Sequence, residues 1–176
     1  MLMHTYIALL RGINVSGKNK LPMAALKSLC QALGYRQVTT YIQSGHAMLQ
    51  ADNTPKEIAQ TWRQAIQAQF GYTVPVLVRE AAFFSQVVAQ NPFQDCDPKT
   101  LYVTLLEGEG HEAKLANLAP DIGGEDRFVA QGEVVYVHCP NGYGRTVLNN
   151  SFFEVKTGSL ATTRNWKTIC QLLELT

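Results

Sequence analysis

Acidic residues are missing from the first 51 positions of this 176-residue chain, which hold Arg11, Lys18, Lys20, Lys27 and Arg36 for a net charge of +5. Residues 52–142 reverse the balance with 12 acids against 6 bases, and residues 143–176 return to +2, so the overall +1 hides an uneven distribution. Such asymmetry predicts one electropositive surface on an otherwise acidic body, suited to a small anion or a phosphate group rather than to long nucleic acid. Long hydrophobic runs are also missing. Stretches such as Tyr6–Leu10 fall far short of the ~20 residues a membrane crossing needs, so no membrane partner is expected. The N-terminus has no basic stretch before its apolar run and no small-residue cleavage site after it. A cytoplasmic location is therefore expected. Cysteine is sparse: Cys30, Cys96, Cys139 and Cys170 lie at least 31 residues apart, with no C-x-x-C and no nearby histidine pair. That spacing argues against structural zinc and a disulfide framework, leaving reduced, mostly packed thiols. His4, His111 and His138 are scattered without ligand spacing. Neither metal nor cofactor is expected.

What the chain does have is apolar content, 46% against 16% charged, enough to bury a core as one domain or two small ones. Tyr6–Leu10 has adjacent apolar residues and reads as a strand buried on both faces. RGINVSGKNK follows as a loop. Leu21–Gly34 carries Met23, Leu26, Leu29, Cys30 and Leu33 at helical spacing, with Pro22 in the first turn and Gly34 at the stop. Gln37–Ile42 and His46–Gln50 read as a hairpin turned at Ser44-Gly45. Thr54-Pro55-Lys56-Glu57 is a capping box that opens a helix running to Gly71. Thr73–Arg79 is a strand placed at a sheet edge by Pro75.

Strand, helix, strand, strand, helix, strand is the split βαβ order called ferredoxin-like. Residues 101–175 echo it. Leu101–Glu107 reads as a strand, Glu112–Leu118 as a helix, and Arg127–Ala130 with Val134–Cys139 as a hairpin turned at Gln131-Gly132. Helices are expected at Val147–Lys156 and Trp166–Leu175, with a short strand among Gly158–Thr162. The expected fold is thus α+β: two ferredoxin-like (βαββαβ-type) subdomains packed together, with an extra C-terminal helix. The first spans residues 1–80, a helical connector residues 81–98 (a helix at Ala81–Ala89, then a loop), and the second residues 99–176. Because the first and third strands of such a unit are antiparallel neighbours, the loop Arg11–Lys20 should lie beside Gln43–His46.

Gly12 to Lys18 matches G-x-x-x-x-G-K after a strand and before a helix. The next residue, however, is Asn19 rather than the Ser or Thr that would hold magnesium, and Pro22 delays the helix by several residues. A simpler anion nest is the chemistry left: backbone N–H groups around Gly12 and Gly17, with charge from Arg11, Lys18 and Lys20. The competing reading is a surface turn whose Asn14 and Asn19 satisfy their own backbone. Ser44 and His46, two apart, cannot be assumed to form a nucleophile and base, and no triad is visible. A hydrogen-bonded turn histidine is the plainer reading of His46. In Thr162–Lys167 a threonine precedes a helix whose Trp166, Ile169, Cys170 and Leu173 form one stripe, leaving Arg164 and Lys167 off it. RNA-recognition modules share this element order but stack bases on sheet aromatics. The third strand here has none and the first only Tyr6, which disfavours nucleic acid as a partner.

RGINVSGKN, YIQSG at Tyr41–Gly45 and TTRNWKT together resemble the family known as domain of unknown function 1697 (DUF1697), over nearly the whole chain. The resemblance implies two ferredoxin-like subdomains in a bacterial-type soluble protein and no established activity. Arg11, Gly12, Asn14, Gly17 and Asn19 match its first motif, Ser44 and Gly45 its second, and Arg164, Asn165 and Trp166 its third. Ser16 stands where glycine is usual, and His46 where asparagine is usual. The sequence therefore predicts binding of an anionic or phosphorylated small ligand. The candidate residues are Arg11, Gly12, Asn14, Gly17, Lys18, Asn19, Lys20, Ser44, Gly45 and His46, with Arg164 as a clamp from the second half and Asn165 beside it through the resemblance. The alternatives are an enzyme using His46 as acid or base at that site, and a nucleic-acid or protein interaction module.

Overall fold

The structure, a computed structural model, describes residues 2–119 and 122–176. The chain divides into two compact units, Met1–Ser85 with Leu172–Thr176, and Gln86–Gln171. In the first, β1 (His4–Leu10), α1 (Met23–Ala32), β2 (Arg36–Tyr41), β3 (His46–Ala51), α2 (Pro55–Phe70) and β4 (Val76–Glu80) follow in sequence. They build a four-stranded antiparallel sheet of order β2-β3-β1-β4. Central β1 is buried from Tyr6 to Leu10: Tyr6, Ala8 and Leu10 enter the core of this unit, and the alternate residues Ile7 and Leu9 are buried too, which accounts for the unbroken apolar run. Helix α2 starts where the capping box predicts. The Thr54 side chain accepts from Glu57 N–H, Glu57 reaches back to Thr54 N–H at 2.8 Å, and Gly71 closes the helix in the left-handed region. Its stripe of Ile58, Ala59, Trp62 and Ile66 enters the same core as Leu26 and Cys30 of α1 and Leu49 of β3.

Helix α3 (Ala81–Ala89) continues directly from β4. The second unit then has β5 (Leu101–Leu106), α4 (His111–Ala116), β6 (Arg127–Gln131), β7 (Val134–His138), α5 (Asn150–Thr157) and β8 (Ala161–Asn165), before α6 (Trp166–Glu174). Its antiparallel sheet has order β6-β7-β5-β8, the order of the first sheet. Its own core gathers Leu106, Leu115, Val135, Val137, Leu148 and Phe153. The architecture is α+β, with two four-stranded antiparallel sheets and six α-helices among the described residues.

Several expected elements shift, each for an identifiable physical reason. Helix α1 begins at Met23, not Leu21, because the Leu21 N–H is taken by the Asn14 side chain and Pro22 is extended, with ψ 137°. Strand β4 begins at Val76, not Thr73, since Pro75 has no N–H for the ladder and its carbonyl receives the Arg11 N–H. The first hairpin turns through four residues, 42–45, rather than at Ser44-Gly45 alone: Tyr41 pairs with His46, and Ile42 and Gly45 both have positive φ. Strand β2 is bulged between Arg36 and Thr39, where Gln37 has φ 50°. Helix α5 starts at Asn150, with Asn149 as its cap, rather than at Val147. The largest revision concerns the third motif. Helix α6 starts at Trp166 as expected, but the strand before it is Ala161–Asn165 rather than a short one among Gly158–Thr162, because Thr162 and Thr163 pair with Leu105 and Thr104 of β5, the two threonine hydroxyls 104 and 163 lying 2.7 Å apart. Asn165, not a threonine, caps α6 by accepting the Thr168 N–H at 2.8 Å. Ile169 and Leu172 are the fully buried α6 positions, while Trp166, Cys170 and Leu173 are half-buried.

None of the four cysteines is in a disulfide. Burial pushes the Cys30 thiol up to about 12 and the Cys139 thiol up to about 11, so both stay protonated and inert. Cys96 and Cys170 are half-buried. A thiol-reactive chromophore should accordingly titrate Cys96 and Cys170 in the folded protein and reach Cys30 and Cys139 only after unfolding. Replacing Thr54 with alanine should lower stability by about 1 kcal/mol, read from the urea midpoint. The hydrogen bonds from Thr54 hold the Glu57 carboxyl below its usual range. Stability from this cap is therefore complete above the ordinary carboxylate range and disappears as pH falls through the lowered value, and the Thr54→Ala variant should show a smaller acid-side loss, since the backbone N–H of residue 54 still serves the carboxylate.

Candidate functional site

Three segments meet at the end of the first sheet where β1 finishes. The Leu10 N–H donates to Gly45 O at 2.8 Å, and the next residue, Arg11, donates its N–H to Pro75 O at 3.0 Å. The chain then makes a closed loop. Asn14 N–H donates to Asn19 O at 3.1 Å and Lys18 N–H to Val15 O at 2.9 Å. Gly12, Asn14, Ser16, Gly17 and Asn19 all have φ between 47° and 76°, a left-handed conformation that glycine takes without cost and asparagine more easily than most residues.

Two asparagines lock this loop. The Asn14 amide donates to Leu21 O and to Gln43 O, each at 2.8 Å, while its oxygen accepts the Leu21 N–H at 2.8 Å. It thus ties the loop both to the entry of α1 and to the hairpin turn. The Asn19 amide donates to Gly12 O at 2.9 Å. Ile13 is fully buried, with its side chain over Gly45. A Cβ at Gly45 would stand 2.8 Å from Ile13 Cδ1 and 2.9 Å from Leu10 Cβ, with φ at 86°. Glycine is required there twice over, for space and for conformation.

His46, the first residue of β3, is buried. Its Nδ1 lies 3.2 Å from Tyr41 O and 3.3 Å from Ser44 Oγ. Ser44 and His46 do meet, a contact the sequence reading did not assume: Ser44 is in the turn that leads directly into β3, and its hydroxyl lies on the same side as the imidazole. A carbonyl oxygen can only accept, so Tyr41 O selects the tautomer with hydrogen on Nδ1. That tautomer cannot take a proton from Ser44.

Lys18, Lys20, Gly12, Ser16, Gly17 and Ser44 are exposed, whereas Arg11, Asn14 and Asn19 are half-buried. The three acids between residues 1 and 85, Asp52, Glu57 and Glu80, lie toward the other end of the sheet. Glu80 is opposite Tyr6 in the β1–β4 ladder and 3.9 Å from His4, and Asp52 follows Ala51, the partner of His4. All three acids raise the Tyr6 hydroxyl, after burial as the first cause. Seven residues of β1 separate the two ends by about 20 Å, beyond the ~8–10 Å screening length of physiological salt.

The match to a nucleotide P-loop fails in geometry. After Lys18 the chain closes on itself, and α1 begins only at Met23, so the loop does not lead its N–H groups into a helix terminus. Tyr6, the aromatic that a base-stacking sheet would need, is 2% exposed with its hydroxyl donating to Asn53 O. Among the described residues no three His, Cys, Asp or Glu side chains gather in metal-binding range, and no helix is long and apolar enough to cross a membrane.

Arg164 and Asn165 belong to the second unit. Arg164 sits on β8 and directs its guanidinium to Thr162 Oγ1 at 2.9 Å and Thr163 O at 2.8 Å. The second unit also repeats the corner of the first. Leu106 N–H donates to Glu133 O and Glu107 N–H to Leu160 O, the bonds that Leu10 and Arg11 make. Glu107 thus occupies the position of Arg11, and Glu109 stands in the short loop that replaces the lysine-bearing one.

A two-unit α+β chain with duplicated sheet order and a basic, asparagine-locked loop defines the class. The chain belongs to the family described as protein of unknown function (DUF1697), which matches residues 3–136. Among solved structures it is similar to conserved bacterial protein SP0830 from Streptococcus pneumoniae, at 20% identity and a TM-score of 0.76, covering 99% of each chain. At that identity the likeness shows the fold alone. No curated protein matches.

Gly45→Ala should destabilise the protein by about 2–4 kcal/mol, from a clash with two buried side chains and a strained φ, measured by denaturant unfolding. Asn14→Ala leaves the buried entry to α1 with an unsatisfied N–H. It should cost about 1–3 kcal/mol and speed amide exchange across residues 12–21 and 42–45 while the rest of the sheet keeps its protection.

Proposed function

We propose that this chain binds an anionic, phosphate-bearing small ligand at the corner formed by residues 11–20 and 42–45, on a cytoplasmic protein built from two ferredoxin-like units. The ferredoxin-like reading is supported by the order β2-β3-β1-β4, with helices after the first and third strands, and its repetition in the second sheet. The cytoplasmic setting suits cysteines that form no disulfide.

The observation that carries the binding reading is charge placement on a rigid loop. Arg11, Lys18 and Lys20 stand at the end of the sheet away from Asp52, Glu57 and Glu80. The loop that bears them is fixed by side-chain amides and does not need a ligand to order it. In this reading Arg11, Lys18 and Lys20 supply charge. Ser44 and the backbone around Gly12 and Gly17 supply direction, and Asn14, Asn19, Gly45 and His46 hold the frame. The ligand corner is drawn from the first unit alone.

The alternative enzyme reading rests on the 3.3 Å approach of Ser44 Oγ to His46 Nδ1. The carbonyl of Tyr41 on the same nitrogen opposes it. His46→Gln retaining any turnover found would exclude His46 as acid or base.

At ten times Kd a ligand adds about 1.4 kcal/mol to stability, a thermal shift of a few degrees for a protein of this size. Phosphate and a panel of phosphorylated metabolites should include compounds that produce that shift. Arg11→Ala or the pair Lys18→Ala/Lys20→Ala should remove it without lowering the unliganded melting temperature by a comparable amount. Calorimetry should give one ligand per chain, because the equivalent corner of the second unit carries Glu107 in place of Arg11. A panel without any shift, or two equal sites, would overturn the reading.

A further inference from the structure

Besides its cations, the corner of the first unit carries apolar side chains that its folding does not use. Ile42, the first turn residue after β2, is 49% exposed and sits at φ 46°. A β-branched side chain is strained in that left-handed conformation, which glycine and asparagine adopt more readily. At a half-open position little burial offsets the strain, and strain of this kind collects where ligands are held. Val15, at the tip of the loop 11–20, is 58% exposed. Among the described residues, the other exposed large apolar side chains of this unit lie near the chain termini, at Leu2, Met3 and Leu175, or just past α1, at Leu33. Scattered singly, such residues need no explanation. Val15 and Ile42 are not scattered. Each is the chain neighbour of one partner in a single hydrogen bond, that of the Asn14 amide to Gln43 O at 2.8 Å.

The cations share this backbone. Lys18 N–H donates to Val15 O at 2.9 Å, and the two residues form an antiparallel bridge, a tight turn that keeps their Cα atoms within about 7 Å. A phosphate held by Lys18 therefore brings the group esterified to it beside Val15. A sugar there would set its hydroxyls against a side chain that cannot hydrogen-bond to them, whereas a hydrocarbon would remove apolar surface from water on both sides. Scale decides between a small ligand and a larger partner. Two apolar side chains fall far below the roughly 20–30 residues a side of a stable protein interface, and below the continuous apolar face with which a protein lies on a bilayer. They suffice to cover a few carbons.

We propose that the ligand of this corner is a phosphate monoester of an apolar group, an alkyl or aryl phosphate rather than a sugar phosphate, with its phosphate on Lys18 and Lys20 and its hydrocarbon against Val15 and Ile42. The assignment rests on the anion-binding reading and adds the chemical class of what lies beyond the phosphate. Ile42 is then kept at a cost to the turn because the contact it makes is with the ligand, not with the core.

Calorimetric titration of the full chain with inorganic phosphate, glycerol phosphate and the methyl, butyl and hexyl phosphates tests it. Affinity should climb along the alkyl series by about threefold for each of the first few methylenes. Glycerol phosphate should bind no tighter than methyl phosphate, and hexanol, which lacks the anion, should not bind. Val15→Ser combined with Ile42→Asn should flatten the climb. Ile42→Asn alone should raise the unliganded melting temperature, because asparagine accepts the left-handed turn. If neither phosphate nor any ester binds, the anion-binding reading falls and this one with it. If phosphate binds but the alkyl series is flat, or glycerol phosphate matches hexyl phosphate, or the climb survives Val15→Ser with Ile42→Asn, the hydrocarbon assignment alone is overturned. Attachment to vesicles containing phosphatidic acid, with hexyl phosphate no better than the inorganic ion, overturns it in favour of a bilayer surface. A lower melting temperature for Ile42→Asn also overturns it, since the isoleucine would then serve the fold.

Discussion

One side-chain amide, that of Asn14, holds together everything that makes the first corner a site. Its three hydrogen bonds reach Leu21 in both directions and Gln43 across the chain. They settle where α1 may begin and where the hairpin turn must lie. The residue itself sits at φ 54°, a conformation that places its side chain within reach of those partners. An exposed loop of ten residues would otherwise sample many conformations and lose that freedom on binding. Here the entropy is lost on folding, and the cations Arg11, Lys18 and Lys20 are presented by a frame already set.

Charge segregation adds a second constraint. Within residues 1–85 the cations of the loop and the three acids occupy opposite ends of one sheet, with a central strand between them. An acid of this sheet beside Lys18 or Lys20 would compete with any anion from solution, and Asp52, Glu57 and Glu80 stand at the far end instead. The separation leaves the field of the loop directed outward, and the exposure of Lys18 and Lys20 makes that field sensitive to salt.

Most of the element order was legible in the sequence because it depends on local signals. The capping box at Thr54, the glycines after helices and the apolar run of β1 carry their meaning within a few residues. The proximity of the first loop and the hairpin was legible too, since antiparallel pairing of β1 with β3 dictates it. What stayed hidden depends on partners far along the chain. Nothing near Leu21 shows that its N–H is claimed by Asn14, so α1 reads two residues too long. Thr163, Arg164 and Asn165 do not read as strand until β5 supplies Thr104, Val103 and Tyr102 as cross-strand neighbours. The Ser44–His46 approach was within reach of the sequence, since residues two apart in an extended segment share a face, and it went unassumed only because Ser44 stands at a turn. Asparagine in both of the first loop's locks was visible as residue type, but its choice of backbone over ligand appears only with the hydrogen bonds in place.

The second unit makes the same pair of backbone bonds at the same corner with glutamate where the first has arginine. The same main-chain bonds therefore set that bend beneath side chains of opposite charge. Chemistry there is decoupled from architecture: the corner behaves as a socket, in which the sign of the group can be exchanged while the scaffold beneath stays as it was.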